Sequence, residues 1–145
     1  MGIKQASKLG LTPVFRLNGT SDLSWEKYEV EGYKNIFEAF PGVQFYDYTK
    51  VLGRKVQDIP NYHLTFSAAD GNQQDVVNAA IQGMNIAMVF DKLPEAYMGR
   101  KVINADDTDL RFLDPRGVIA GLKAKGRAKK DTSGFVRRTI PIVAG

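Results

Sequence analysis

The stretch Asn85-Ile86-Ala87-Met88-Val89-Phe90 decides the fold class. It is a short apolar run, which predicts a strand buried on both faces of a sheet. Directly before it, residues 73–82 carry apolar side chains at helical spacing. Asn72 is placed to cap this helix, and Gly83 occupies the position of a helix-ending glycine. A buried strand that follows a helix in this way is typical of an α/β domain.

The N-terminal half continues the alternation of strands and helices. Three further strands are predicted, at residues 13–18, 43–48 and 62–67. Between the first two, a helix is predicted from residue 25 to residue 40, with Ser24 as its cap and Pro41-Gly42 as its end. Residues 1–10 indicate a short amphipathic helix.

The C-terminal half contains weaker strand patterns, at residues 102–103, 117–122 and 140–143. The last of these is predicted as an edge strand, because Pro141 lacks a ladder donor. Together the elements predict an α/β fold with a mostly parallel or mixed sheet covered by helices. A chain of 145 residues predicts one domain, residues 1–145. A complete eightfold βα barrel takes about 250 residues, so we expect about half of such a barrel or a small open sheet.

Composition excludes several classes of site. The chain has no cysteine and one histidine, His63. Disulfides, zinc–thiolate centres, iron–sulfur clusters and cysteine nucleophiles are therefore excluded. The acidic stretch 106–109 lacks the glycine and distal glutamate of an EF-hand loop, so no metal site and no cofactor are predicted. No apolar run approaches the ~20 residues of a membrane helix, and we expect a cytoplasmic protein without a membrane partner.

Charge is concentrated near the C-terminus. The chain carries a net charge of +4, yet the basic segment, residues 117–138, holds seven basic residues and one acid, which gives +6 and leaves −2 for the rest. Its basic residues are Lys123, Lys125, Arg127, Lys129, Lys130, Arg137 and Arg138. Such a block predicts phosphate contacts with DNA or RNA. A solvated tail and an arm that contacts a neighbouring subunit are the alternative interpretations.

A first candidate ligand site follows the first strand, where Arg16, Asn18 and Thr20 alternate onto one face. Because polar side chains on an inner face are costly without partners, they indicate a pocket for an anionic or polar ligand. The alternative is a buried ion pair between Arg16 and Asp47 of the neighbouring strand.

A second candidate site lies on the third strand, where His63, Thr65 and Ser67 share a face. The turn that contains Asp70 then leads into a helix N-terminus, which can bind an anion. The turn lacks the spacing of a P-loop or of a dinucleotide-binding fingerprint, and no catalytic residue is assigned. We expect the polar residues of both strands to lie together on one face, namely Arg16, Asn18, His63 and Ser67.

Five long motifs carry a family resemblance. They are RLNGTSDLSWE (16–26), FYDYTK (45–50), NYHLTFS (61–67), DLRFLDP (109–115) and GLKAKG (121–126). With these motifs the chain resembles phage and prophage proteins of unknown function related to the phage "gene product eighty-eight" group, over residues 11–136. The resemblance implies a phage or mobile-element origin and supplies no catalytic residues. Longer proteins of that type carry a cysteine-containing N-terminal portion, so the resemblance implies a shortened version here.

Three functions remain open at this point. The first is a small phage accessory protein that binds a macromolecule, with nucleic acid as the leading partner. The second is an enzyme, or a shortened enzyme-like domain, that binds an anionic nucleotide or cofactor-type ligand at the strand ends. The third is an inhibitor that acts on a host protein by direct contact. Because an open sheet leaves an exposed edge, we also expect a homo-oligomer.

Overall fold

A computed structural model of the protein describes residues 13–18, 21–108, 110–125 and 135–137. Within these residues the strands are β1 (Val14–Arg16), β2 (Gln44–Thr49), β3 (Tyr62–Ser67), β4 (Asn85–Phe90), β5 (Ala96–Tyr97), β6 (Arg100–Asn104), β7 (Ile119–Lys123) and β8 (Val136–Arg137). The α-helices are α1 (Ile36–Ala39) and α2 (Gln73–Ile81), and short 3-10 helices span Trp25–Lys27 and Arg111–Leu113.

The eight strands form one open, mixed sheet in the order β1-β2-β3-β4-β7-β6-β5, with β8 beside β4. Most of its neighbours are parallel: β1 with β2, β3 with β4, and β7 with both β4 and β6. β8 is also parallel to β4, whereas β5 and β6 are antiparallel. The predicted α/β class with a mostly parallel or mixed sheet is confirmed, and the strands of the described residues do not close into a barrel.

The chain divides into two compact units, unit one (residues 1–64) and unit two (residues 65–145), with the boundary inside β3. The core of unit one is aromatic. Phe37 of α1 meets the ring of Phe45 edge-on at 5.2 Å and stacks on the ring of Tyr62 at 4.1 Å. All three side chains are buried, so this short helix is held by packing rather than by its own length.

The helix predicted from residue 25 to residue 40 is wrong in most of its length. A single 3-10 turn at Trp25–Lys27 is followed by a tight turn closed by the bridge between Val30 and Tyr33. Gly32 adopts φ +84°, a left-handed conformation that glycine accepts without strain and that interrupts a helix. The helix begins only at Ile36, where the side chain of Asn35 accepts a hydrogen bond from the N–H of Glu38.

Unit two is built around β4, as its apolar sequence predicted. Ile86, Met88 and Phe90 are fully buried, and α2 contributes Val76 and Ala79 to the core. Gly83 follows α2 with φ +85°, which confirms it as the glycine that ends the helix. β7 pairs with one edge of β4 along residues 86–90. The other edge is shared, because β3 pairs with residues 85–87 and β8 with residues 89–90.

Some of the other predicted elements are confirmed, and others lie outside the described residues. The weak patterns at residues 102–103 and 117–122 correspond to β6 and β7. The predicted helix at 1–10 and edge strand at 140–143 lie outside the described residues. The single-domain organisation stays a prediction. No helix in the described part of the chain has the length and hydropathy needed to span a membrane.

Candidate functional site

The loop after β1 is held by one buried amide. Asn18, which is 2% exposed, donates from its side chain to the carbonyl of Leu23 at 3.1 Å and to the carboxylate of Asp47 at 3.2 Å. Its side-chain oxygen accepts from the hydroxyl of Ser21, the N–H of Leu23 and the indole N–H of Trp25. Asn18 is therefore the residue around which this loop folds. Thr20 lies outside the described residues.

Asp47 of β2 is fully buried and hydrogen-bonded on both oxygens. It accepts from the backbone N–H of Asn18 at 2.7 Å and from the hydroxyl of Tyr62 at 2.6 Å. Burial raises the pKa of Asp47, although the hydrogen bonds from Tyr62 and Asn18 oppose that rise. Burial and the adjacent Asp47 carboxylate raise the pKa of Tyr62, so its hydroxyl keeps its proton and acts as a donor.

Arg54 extends this polar network through the polar connection after β2. Its guanidinium donates to Glu26 from Nε at 3.1 Å and from Nη2 at 2.6 Å, and Nη2 also donates to the hydroxyl of Tyr62 at 2.9 Å. Burial opposes ionisation of Glu26, but the hydrogen bonds from Arg54, a backbone hydrogen bond and the charges of Arg54 and Lys27 together hold the pKa of Glu26 below its usual value. Such a bidentate pair fixes both side chains in one orientation.

Asp22, in the loop after β1, binds the carboxyl end of β2. Its carboxylate accepts from the hydroxyl of Thr49 at 2.8 Å and from the N–H of Lys50 at 2.7 Å, and it lies 3.6 Å from Nη1 of Arg54. The network of residues 18, 22, 26, 47, 54 and 62 thus ties the loop to the carboxyl ends of β1 and β2. The carboxylates of this network accept hydrogen bonds from donors in the same unit, so the network positions the loop.

Arg16 has a different environment from Asn18. It is exposed, its Nε donates to the carbonyl of Asn18 at 3.1 Å, and its guanidinium carbon lies 5.0 Å from the ring centroid of Tyr48. The register of β1 and β2 pairs Arg16 with Tyr46, so Arg16 shares a face with Tyr46 and Tyr48. Asp47 points to the opposite face. Among the described residues, its hydrogen bonds come from Asn18 and Tyr62, while Arg16 acts on it electrostatically.

The residues predicted on β3 alternate with its apolar side chains. His63 and Ser67 are half-buried, and Thr65 is fully buried with a hydroxyl that makes no hydrogen bond among the described residues. The following turn is closed by Asn72, which accepts from the N–H of Ala69 at 2.8 Å and donates to the carbonyl of Ser67 at 3.1 Å.

Asp70 is exposed in that turn. The backbone N–H of Ala69, which could otherwise bind an anion at the start of this helix, already donates to the side chain of Asn72. The proximity predicted for Arg16, Asn18, His63 and Ser67 stays a prediction.

The described part of the basic segment lies at the carboxyl end of the central strands of unit two. Lys123 of β7 and Arg137 of β8 are both in register with Phe90 of β4, one on each side of it. Lys123 and Lys125 are exposed, whereas Arg137 is half-buried and donates to the carbonyl of Ala69 at 3.3 Å. Arg127, Lys129, Lys130 and Arg138 lie outside the described residues.

Asp106 contacts this basic surface directly. It accepts from the backbone N–H of Lys123 at 3.0 Å and forms an ion pair with the ammonium of Lys125 at 3.2 Å. These two contacts hold the pKa of Asp106 below its usual value. Lys125 remains 75% exposed in this pair, so it stays accessible from solvent.

Two features of the site escaped sequence reasoning. Arg54 lies in none of the five motifs, and Tyr62, although it lies in the NYHLTFS motif, carries no signal there that points to Asp47. Within the part of the chain that the structure describes, no group of three or more acidic or histidine side chains is placed to hold a metal ion.

The fold and these sites define a small α/β protein with an open, mixed sheet, a loop anchored by buried polar groups and a basic C-terminal segment. The chain belongs to the Gene product 88 (GP88) family, whose model matches residues 3–139. The resemblance to the phage gene product 88 group is thereby confirmed. The comparisons with curated proteins and with solved structures gave no significant match.

Proposed function

We propose that this protein is a small phage accessory protein that binds DNA or RNA through the basic segment, residues 117–138, in the cytoplasm of the host cell. The observation that supports the proposal is the position of two basic residues of that segment. Lys123 and Arg137 are in register with the same residue of β4, Phe90, so both lie at the carboxyl end of the central strands. The region beyond the carboxyl ends of parallel strands is where α/β folds bind ligands.

Charge supports the same interpretation. The segment carries +6 against −2 for the rest of the chain, and its described lysines are exposed. A protein that neutralises phosphates releases condensed counterions, which gives sequence-independent affinity with a steep dependence on salt. The ion pair between Lys125 and Asp106 does not prevent this, because exposed pairs are weak and a phosphate can replace the carboxylate.

The test measures binding to labelled single-stranded and duplex oligonucleotides by fluorescence anisotropy over a range of salt concentrations. In the triple variant Lys123→Ala, Lys125→Ala, Arg127→Ala we expect weaker binding to all sequences alike. The log–log salt slope should flatten by up to about three, since each phosphate contact contributes roughly 0.9.

A matched control removes the same charge from unit one. Lys27, Lys34 and Lys55 are exposed there, and their triple alanine variant should retain most of the affinity and the salt slope. Equal losses in both triple variants, or no binding to any oligonucleotide at low salt, contradict the proposal. Light scattering on the same proteins gives a third outcome: if the first triple variant dissociates an oligomer and nucleic acid does not bind, the segment is a contact between subunits.

A further inference from the structure

We propose that Tyr28, supported by Trp25, is a stacking site for an unpaired base, so that the protein prefers single-stranded to duplex nucleic acid. This inference rests on the proposed function and names its substrate class. The site lies in unit one, at the 3-10 turn Trp25–Lys27, and shares no residue with the basic segment.

Tyr28 is held in place although it lies at the surface. Its backbone N–H donates to the carbonyl of Trp25 at 3.2 Å, which closes the 3-10 turn. The rings of Tyr28 and Trp25 lie 5.8 Å apart, centroid to centroid, at an angle of 53°. The indole of Trp25 is fixed in turn by its hydrogen bond to the buried side chain of Asn18. A ring supported in this way loses little conformational freedom when a ligand binds.

The ring of Tyr28 can be reached from solvent. Tyr28 is 51% exposed, whereas the stacked rings of Phe37 and Tyr62 in the core of the same unit are buried. Bases that are free of a duplex stack on aromatic side chains, and this contact tolerates any base because each has a π-face. Paired bases are already stacked within the duplex, which gives the preference for single strands.

The charges around Tyr28 favour stacking over simple attraction of phosphate. The exposed Lys27 precedes it, and the exposed carboxylates of Glu29 and Glu31 follow it. A site with charges of both signs adds little to the salt dependence, which reports on phosphates neutralised by the basic segment. The contribution of Tyr28 should therefore appear in the ratio of single-strand to duplex affinity.

The decisive variant is Tyr28→Leu, which removes the ring and keeps an apolar side chain. Stacking contributes roughly a 5- to 100-fold gain in affinity for each base. We therefore expect Tyr28→Leu to lower single-strand affinity in the anisotropy assay by at least about fivefold, with duplex affinity and salt slope unchanged. Tyr28→Phe keeps the ring and should bind as the wild type does. Tyr33→Leu is the matched control, since Tyr33 is 50% exposed in the same unit, and it should retain single-strand affinity.

Trp25 supplies a second measurement, because it is the only tryptophan of the chain and contacts Tyr28 directly. A saturating single strand should change its emission in the wild type and in Tyr28→Phe, and should change it much less in Tyr28→Leu. Circular dichroism of the unbound variants confirms that each remains folded.

The outcomes separate this site from the proposed function. Wild-type single-strand affinity in Tyr28→Leu, or an equal loss in Tyr33→Leu, overturns the stacking site while leaving the proposed function intact. If the wild type binds no oligonucleotide, the proposed function fails, and the stacking site fails with it. A competition arm with adenosine monophosphate distinguishes the two sources of a base: displacement of the single strand at comparable concentration overturns the preference for a polymer.

Discussion

Replacing Asn18 with alanine tests the central claim about unit one, that a single amide organises the loop after β1. The substitution removes five side-chain hydrogen bonds, two donated to Leu23 and Asp47 and three accepted from Ser21, Leu23 and Trp25. The backbone N–H of residue 18 still reaches Asp47, so the buried carboxylate keeps two of its donors.

The magnitude follows from which partners stay buried. A typical hydrogen bond contributes about 0.5–1.5 kcal/mol net, and more where a charged or buried partner is left unsatisfied. Water can reach the exposed Ser21 and Leu23, so their bonds are partly replaced in the variant. The contacts to Asp47 and Trp25 remain as the main loss. We expect Asn18→Ala to lower the free energy of unfolding of unit one by about 2–4 kcal/mol.

Trp25 provides the assay, because it is the only tryptophan of the chain and its indole donates to Asn18 at 2.9 Å. Its fluorescence during urea titration reports on unit one, while far-ultraviolet circular dichroism reports on both units. The control is Asn78→Ala in unit two, followed by circular dichroism, since the side chain of Asn78 accepts a single exposed hydrogen bond from Gln74 and its loss should shift stability by no more than about 0.5 kcal/mol. A loss below about 1 kcal/mol in Asn18→Ala, equal to the control within error, refutes the assignment.

Two further predictions concern carboxylates. Asp106→Asn should raise nucleic-acid affinity about two- to fivefold, because it releases Lys125 from its ion pair. The control Asp107→Asn makes the same change of charge at the exposed neighbouring residue and should raise the affinity less. Equal gains in the two variants count against a direct contact between Asp106 and Lys125. Because the folded-state pKa of Glu26 is lowered, its stabilisation is present at neutral pH and is lost as the pH falls below 4.5. The stability difference between the wild type and Glu26→Gln, followed by Trp25 fluorescence, should therefore shrink on acidification, and a constant difference contradicts the pair.

The elements that were predicted correctly are those for which the local sequence alone determines whether the residues are buried or end a helix. The apolar run of β4 and the glycine at residue 83 need no distant information, and both were found as predicted. The segment from residue 25 to residue 40 has helical spacing as well, but it also contains Gly32 and the β-branched Val30. The bridge between Val30 and Tyr33 and the left-handed turn at Gly32 interrupt the segment, so its amphipathic periodicity does not produce a continuous helix.

The polar residues show a similar division. The position of β1 was enough to single out Arg16 and Asn18 as polar residues at a strand end, whereas their role in binding a ligand stays a prediction. It did not locate Arg54, which reaches Glu26 across 28 positions of sequence and lies in a connection without regular structure. The ion pair between Arg54 and Glu26 depends on how the chain returns to the strand ends, so no local sequence pattern predicts it. For Asp47, the sequence offered only an ion pair with Arg16 as an alternative interpretation.

The attachment of the basic segment has a consequence for how its variants should be interpreted. Within the described residues β8 spans Val136–Arg137, and the buried Val136, in register with Val89 of β4, belongs to the core. Lys123 and Lys125, in contrast, direct exposed side chains away from that core. Charge-removing variants at these lysines should therefore leave the stability of unit two nearly unchanged. A loss of affinity in such variants then reports on phosphate contacts, whereas a loss in a variant of Val136 reports on the anchor that holds the segment in place.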